Sequence, residues 1–327
     1  MRRGVVTGVG FAVPDKILTN DDLSKIVDTN DEWIVQRTGI RERRIAGPED
    51  TASSLGTDAA RKALAAAEMK PAEVQMIVCG TVTGDMAFPS TACFIHEALG
   101  IKSIPAYDVG AACAGFIYAL ANANAMIQTG VVDNALVVGV DLLTKYVDWT
   151  DRSTCVLFGD GAGAVVLKAS ETGDRGLLKT VLLADGKGSK HINFESGGSR
   201  YPYGEPYSEG RNMKVYMNGA EVYRFAVTAM GDACCRVLET AGLEPKDVQL
   251  FVPHQANLRI IRAAQQRLGL PDERVFVNVE KYGNTSGASI PIGLAEAEQT
   301  GRLKQGDLVL TVGFGAGLVW GANLIRW

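Results

Sequence analysis

Three side chains in this 327-residue chain join a reactive type to a useful address. Cys113 stands in "AACAGFIYAL", just before an apolar helical pattern begins. A helix N-terminus offers unpaired N–H groups and the positive end of the helix dipole, and both favour thiolate over thiol. Ala111, Ala112, Ala114 and Gly115 leave room for an approaching acyl group. Taken alone, the string fits a small buried hydrophobe equally well. His254 follows the apolar run "QLFV" through Pro253 and precedes the amphipathic "QANLRIIRAAQQRLG". A histidine at the carboxyl end of a strand in an α/β protein faces the usual place of ligands. Asn284, in the Gly-bounded turn "KYGNTSGAS", reads on its own as a helix N-cap. Of the other two histidines, His96 lies in the amphipathic "ACFIHEALG" and reads as structural. His191 lies in a Gly/Pro/Tyr-rich loop and reads as solvated.

Several other chemistries lack their signatures. None of the six cysteines forms a C-x-x-C pair, and adjacent Cys234 and Cys235 make a poor metal spacing. "GVGFAVP" (8–14) runs into Pro14 instead of a helix, and "GFGAG" (313–317) continues into strand-like residues, so neither has the dinucleotide-binding context. "FGDGAG" (158–163) is not followed by the Gly-Lys-Ser/Thr of a phosphate loop. The net charge is -4, and the longest basic run is "RERR" (41–44), which gives nucleic-acid binding no support. No apolar stretch approaches the roughly 18 residues of a membrane span. The Gly-punctuated N-terminus lacks the apolar core of a signal peptide, so the expected location is cytoplasmic, with free thiols.

The elements that must position these residues occur twice. "AEMKPAEVQMIVCGT" (67–81) is echoed by "AGLEPKDVQLFVPHQ" (241–255), with Pro71, Val74 and Gln75 recurring 174 positions later. "CAGFIYALANANAMIQTG" (113–130) is echoed by "NTSGASIPIGLAEAEQTG" (284–301) at an offset of 171. "NALVVGV" pairs with "DLVLTVG", and "FGDGAGAVVL" with "FGAGLVWGANLI". Alternating helices and buried apolar strands predict an α/β fold of two pseudo-duplicated halves, 1–172 and 173–327. At the 171 offset Cys113 aligns with Asn284, so halves packed face to face would bring the two together.

The strings "DVGAACAGF", "VPHQANLRI" and "YGNTSGAS" resemble the active-site motifs of the 3-oxoacyl-[acyl-carrier-protein] synthase III family. The resemblance covers essentially the whole chain, including "TNDEWIVQRTGIRERR", "DRSTCVLFGDGAGA" and "GFGAGLVWGANLIRW". It implies a thiolase-like fold, a five-layered α-β-α-β-α sandwich, and a homodimer. It also implies a reaction: Cys113 takes an acyl group, expected to be acetyl, from an acyl-CoA. Malonyl-acyl carrier protein then decarboxylates with His254 and Asn284 as hydrogen-bond donors, and its carbanion attacks the acyl-cysteine. By the same resemblance Trp33 and Arg152 sandwich the CoA adenine, Arg37 meets its phosphates, and Asn257 lies near the pantetheine arm. Gly315, Ala316 and Gly317 form an oxyanion turn in which the family has three glycines. Phe88 reaches across the dimer to limit the acyl pocket, and Arg224, Arg259 and Arg267 dock the carrier protein. Gln266 stands where a further basic residue is expected. No metal or redox cofactor is implied.

The chain departs from the family in "HINFESGGSRYPYGEPYSEGRN" (191–212), a longer and more aromatic loop that would either line the acyl or CoA entrance or cover surface. The alternative function is a synthase of the same fold that uses longer, branched or aromatic acyl-CoA primers. A degradative thiolase would need a second catalytic cysteine in the C-terminal half, and "GFGAG" carries none. A non-catalytic acyl-CoA-binding or scaffold protein would have no use for the intact Cys/His/Asn set.

Overall fold

The computed structural model describes residues 2–204 and 213–327. Two mixed sheets carry the molecule. The first holds β1 (Arg3–Ala12), β2 (Ile77–Gly80), β3 (Ala106–Val109), β4 (Asn134–Leu142) and β5 (Asp160–Ser170), in the order β1-β5-β4-β2-β3. The second holds β6 (Gly176–Ala184), β7 (Leu250–Pro253), β8 (Leu308–Gly315) and β9 (Val319–Arg326), in the order β7-β8-β9-β6. In each sheet a parallel step joins the short buried strand to the long one (β2 to β4, β7 to β8) and two antiparallel steps follow; in the first sheet a second parallel step adds β3 beside β2. β3 has only a vestige in the second sheet, a parallel bridge between Phe251 and Val275.

Helices α4 (Gly115–Gln128) and α7 (Ser289–Gln299) pack between the sheets. One core cluster threads them together: Phe116, Ile117 and Leu120 of α4 and Ile290 and Leu294 of α7 meet Val78, Val137, Val252 and Val309 from strands of both sheets. Close approach is bought with missing side chains: a Cβ on Gly139 of β4 would run into the carbonyl oxygen of Gly287. Outside, α2 (Ala52–Ala66) lays an alanine face, Ala59, Ala60 and Ala63, on the first sheet. α5 (Gly219–Ala241) and α6 (Leu258–Leu268) cover the second, with α1 (Asp31–Thr38) against α6, while α3 (Thr91–Ala98) packs beside α2. The result is the five-layered α-β-α-β-α sandwich expected from the resemblance.

The structure corrects the register of the repeat. Short 3-10 turns, Ala112–Ala114 and Ser286–Ala288, precede α4 and α7, and each begins with a residue at positive φ: Ala112 at 46° and Ser286 at 51°. Cys113 therefore corresponds to Gly287, at the 174 offset of the first echo, and not to Asn284. The offset falls to 171 at the closing "QTG" because α4 has 14 residues and α7 has 11. The Gly-rich hairpins are also displaced: Phe158 precedes β5, whereas Phe314 lies inside β8. The glycines that match are Gly163, opposite Gly139, and Gly321, opposite Gly313.

Candidate active site

The carboxyl ends of β7 and β8 and the two 3-10 turns converge on Cys113. The cysteine is buried, two residues before Gly115 opens α4. Gly315, at the end of β8, lies against it: a Cβ there would sit 2.6 Å from the Cys113 backbone nitrogen. Burial pushes the thiol up to about 12, against the helix-terminus expectation of a lowered value, so the resting side chain is protonated. A hydrogen bond from Ser286 Oγ, 3.2 Å from Cys113 Sγ, works in the opposite direction.

His254 continues β7 by one residue, its N–H donating to the Val312 carbonyl at 2.8 Å. The ring stands edge-on to Phe314, with centroids 5.5 Å apart, and Nδ1 lies 2.6 Å from Ser289 Oγ. Burial drives the imidazole down to about 3, so it is neutral near pH 7. Ser289 Oγ accepts the Gln255 N–H at 3.3 Å; where it gives its own proton to Nδ1, the imidazole hydrogen lies on Nε2. Asn284 is held by its backbone, which bridges Phe158: its N–H donates to Leu157 and its carbonyl accepts from Gly159. Its Oδ1 accepts the Ser286 N–H at 2.9 Å, which fixes the amide plane and assigns Nδ2 as the donor end.

Two cavities meet at Cys113. One, of about 350 Å³, is lined by Cys113, His254, Asn284, Phe314 and Gly315 at its inner end and by Trp33, Arg37, Arg152 and Asn257 at its outer end. Arg37 and Arg152 both stack on Trp33, at 4.4 Å and 5.2 Å from the ring centroid. Arg152 is also tied to the Asp28 carbonyl at 2.9 Å and its carboxylate at 3.4 Å. Asn257 caps α6 by accepting the Arg259 N–H, and its Nδ2 donates to the Arg37 carbonyl at 3.0 Å.

The other cavity, of about 480 Å³, is lined by Cys113, Ala112, Ser286 and Ala316, by the 82–87 segment, by Leu143, Tyr146 and Val215, and by the long loop. Ile192, Phe194, Ser196 and Tyr203 of that loop face it, and Phe194 stacks edge-on to Tyr146 at 5.5 Å. The loop thus lines a cavity instead of merely covering surface; its residues 205–212 lie outside the described residues. Phe88 lines neither cavity and is 83% exposed. Gly317 is in neither lining.

The three arginines expected to dock a carrier are engaged locally. Arg224 pairs with Glu221 at 2.8 Å, Arg267 pairs with Asp232, and Arg259 stacks on Tyr223 at 5.2 Å. Among the described residues no cluster of three His, Cys, Asp or Glu side chains is placed to hold a metal, and no helix is long and apolar enough to cross a membrane. Sequence reasoning missed Ser286 and Ser289, although both lie inside the quoted "NTSGAS". It also missed Asp141, a fully buried carboxylate one residue before the end of β4. A charge closing an apolar strand was the available signal.

Comparison with known proteins agrees along the chain. Residues 107–186 match the family model described as 3-oxoacyl-[acyl-carrier-protein (ACP)] synthase III, and residues 238–327 match its C-terminal counterpart. The beta-ketoacyl-[acyl-carrier-protein] synthase III of Symbiobacterium thermophilum is 53% identical, over 98% of this chain and 97% of its own. The solved 3-oxoacyl-[acyl-carrier-protein] synthase III of Aquifex aeolicus superposes with a TM-score of 0.92 at 47% identity, covering 99% of this chain and 100% of that one. The priming beta-ketosynthase of the R1128 polyketide pathway also reaches 0.92, at 38% identity, with 98% and 95% covered.

Proposed function

We propose how this chain, which belongs to the 3-oxoacyl-[acyl-carrier-protein] synthase III family, divides that family's reaction among its side chains. The enzyme is an acyltransferase. It condenses an acyl-CoA primer with malonyl-acyl carrier protein, releasing CoA and CO₂, and so initiates fatty-acid synthesis. Acetyl-CoA is the proposed primer.

Cys113 is the nucleophile. The observation that carries this is its place where the two cavities join, with His254 and Asn284 lining the arm that leads to Trp33 and Arg152. An acyl-CoA threaded through that arm delivers its thioester to the thiol and its acyl group to the larger cavity. The Cys113 N–H, beside Gly315, is the proposed donor to the oxyanion. Ala316 in place of glycine leaves a backbone donor intact. Malonyl decarboxylation puts negative charge on the thioester carbonyl oxygen. Neutral His254, through Nε2–H, and Asn284, through Nδ2–H, are two fixed donors for that charge in a site with little water. A charged histidine would instead pair with the malonyl carboxylate and hold it in place, so the low imidazole pKa serves the step.

No resident cofactor is invoked. Trp33, Arg37, Arg152 and Asn257 are assigned to CoA and its pantetheine arm, and Arg259, flanked by Arg224 and Arg267, to the carrier protein. A homodimer is supported by the unpaired edge of β3 and by the exposed Met86 and Phe88 beside the acyl cavity. Across such an interface Phe88 would narrow the partner's cavity. A cytoplasmic location accords with carrier-protein chemistry.

The test is acylation by labelled acetyl-CoA and a panel of longer acyl-CoAs, without malonyl substrate. Rapid labelling by acetyl-CoA that disappears in Cys113→Ala supports the assignment. Equal labelling of the variant overturns it.

A further inference from the structure

The two 3-10 turns at the site are copies of each other, and what faces them differs by one anion. Each lies against the carboxyl end of a long strand: the Ala112–Ala114 turn on β8 and the Ser286–Ala288 turn on β4. Gly313 and Gly139 are matching residues of those strands. Two residues further on, and so on the same face, β8 has Gly315 and β4 has Asp141. Gly315 faces the Cys113 nitrogen, and a Cβ there would come within 2.6 Å of it. Asp141 faces the corresponding nitrogen, that of Gly287, and its Oδ2 accepts the N–H at 3.0 Å. In front of one N–H, glycine clears space for a substrate oxygen. In front of the other, a carboxylate of the chain itself takes that place.

The carboxylate is fully buried and held from its other side as well. Oδ1 accepts from Thr81 Oγ1 at 3.1 Å, from Thr83 Oγ1 at 2.9 Å, and from the N–H groups of Val82 and Thr83 at 2.9 and 3.2 Å. Donors on both oxygens suit an anion, which only accepts. Gly287 permits the approach, since a Cβ there would lie 3.2 Å from Oδ2 and 3.2 Å from the Gly80 carbonyl oxygen. Ser286, just before it, sits at φ 51°, a strained conformation for a residue with a side chain. Such strain persists where the surroundings over-determine it. Here two N–H groups do so: that of Ser286 donates to Asn284 Oδ1 at 2.9 Å, and that of Gly287 to Asp141. The first of these bonds is also the one that fixes the Asn284 amide plane.

We infer that Asp141 is a positioning residue for the decarboxylation step: its carboxylate stands at the second turn where the oxyanion stands at the first, and holds the turn that orients the Asn284 amide. Asp141 acts through Gly287 and Ser286 and not on the substrate. Through Val82 and Thr83 it also ties that turn to the wall of the acyl cavity, so the amide is referenced to the pocket that receives the primer.

The inference rests on Asn284 as a donor in decarboxylation, and the experiment separates the two. Malonyl-carrier decarboxylation (kcat and KM) and acylation of Cys113 by acetyl-CoA are measured on the full enzyme for wild type, Asp141→Asn, Asn284→Ala and the double variant. An amide at 141 keeps its oxygen on the donors from Thr81, Val82 and Thr83 and turns its NH₂ against the Gly287 N–H, so the bond to the turn is the one lost. Decarboxylation kcat is expected to fall about tenfold, the scale of one hydrogen bond to a charged group. The KM for malonyl-carrier protein should change little, and acylation should lose far less. In the Asn284→Ala background Asp141→Asn is expected to add no further loss, because no amide is left to orient. General damage to the fold would repeat the loss in that background and overturn the inference. An unchanged kcat, or equal losses in the two half-reactions, overturns it as well. Should Asp141→Asn fold poorly, Thr81→Val removes one donor from Oδ1 while keeping the side-chain shape, and is held to the same pattern with a smaller loss. Wild-type decarboxylation by Asn284→Ala strikes the assignment of Asn284 instead.

Discussion

A buried imidazole does what its second nitrogen allows. Ser289 Oγ is the partner that the structure gives His254 Nδ1, at 2.6 Å, so Ser289→Ala frees the tautomer and the ring angle together. Losing one buried hydrogen bond costs about 1–3 kcal/mol. Decarboxylation is therefore expected to fall about 10- to 100-fold, while acylation of Cys113, which does not call on His254, stays near wild type. Separate assays of the two half-reactions check this, and equal losses would count against the division of labour. The cysteine, histidine and asparagine were legible because each combined a reactive type with a strand-to-helix junction. Ser286 and Ser289 were not, because a serine beside a helix start ordinarily reads as a cap. Only the fold reveals that one touches the thiol and the other the imidazole. Arg152 was legible as a partner of Trp33 but not as a latch. With 5.2 Å between them no ring fits, so on the proposed CoA assignment adenine would displace Arg152 from Asp28. Asp28→Asn should lower the KM for acyl-CoA by up to about threefold, the scale of an exposed ion pair, and less at high salt.

At the scale of elements, the site depends on how closely the middle helices approach the strands. Gly139→Ala would push a methyl group into the Gly287 carbonyl, which is backbone and has little freedom to yield. The expected loss is about 1–3 kcal/mol of stability, seen as a lower denaturation midpoint. Because Gly287 belongs to the turn that carries Ser286, slower decarboxylation should accompany it. Unchanged stability would mean that the middle layer is more compliant than its packing indicates. The order of elements was readable from the repeat because buried strands and amphipathic helices leave periodic patterns. The register was not: a one-turn shortening of α7 moves the echo by three residues and makes Cys113 appear to face Asn284. Sequence offsets cannot locate such a deletion, whereas the two residues at positive φ, Ala112 and Ser286, do.

At the scale of the molecule, two buried groups set opposing responses to acid. His254 falls to about 3 in the fold, from 6.5 in the unfolded chain. Between those values the unfolded state binds the extra proton, so the stability that His254 lends above pH 6.5 is progressively lost as pH falls. Asp160 is buried, accepts from the Ala46 and Thr144 N–H groups and the Thr144 hydroxyl, and is raised to about 6 from 3.8. Here the folded state binds the extra proton, so lowering the pH from 6 toward 3.8 adds stability. The two windows overlap and partly cancel. His254→Gln should therefore lose less stability than wild type between pH 7 and pH 5, and Asp160→Asn should lose more, when denaturant midpoints are compared at the two values. The midpoint of each variant at pH 7 supplies its own reference, so the comparison reads the slope and not the substitution's direct effect. Equal slopes in all three proteins would show that neither group is as dry in solution as its burial implies. The polar donors proposed for decarboxylation would then work in a wetter site, where they are worth less.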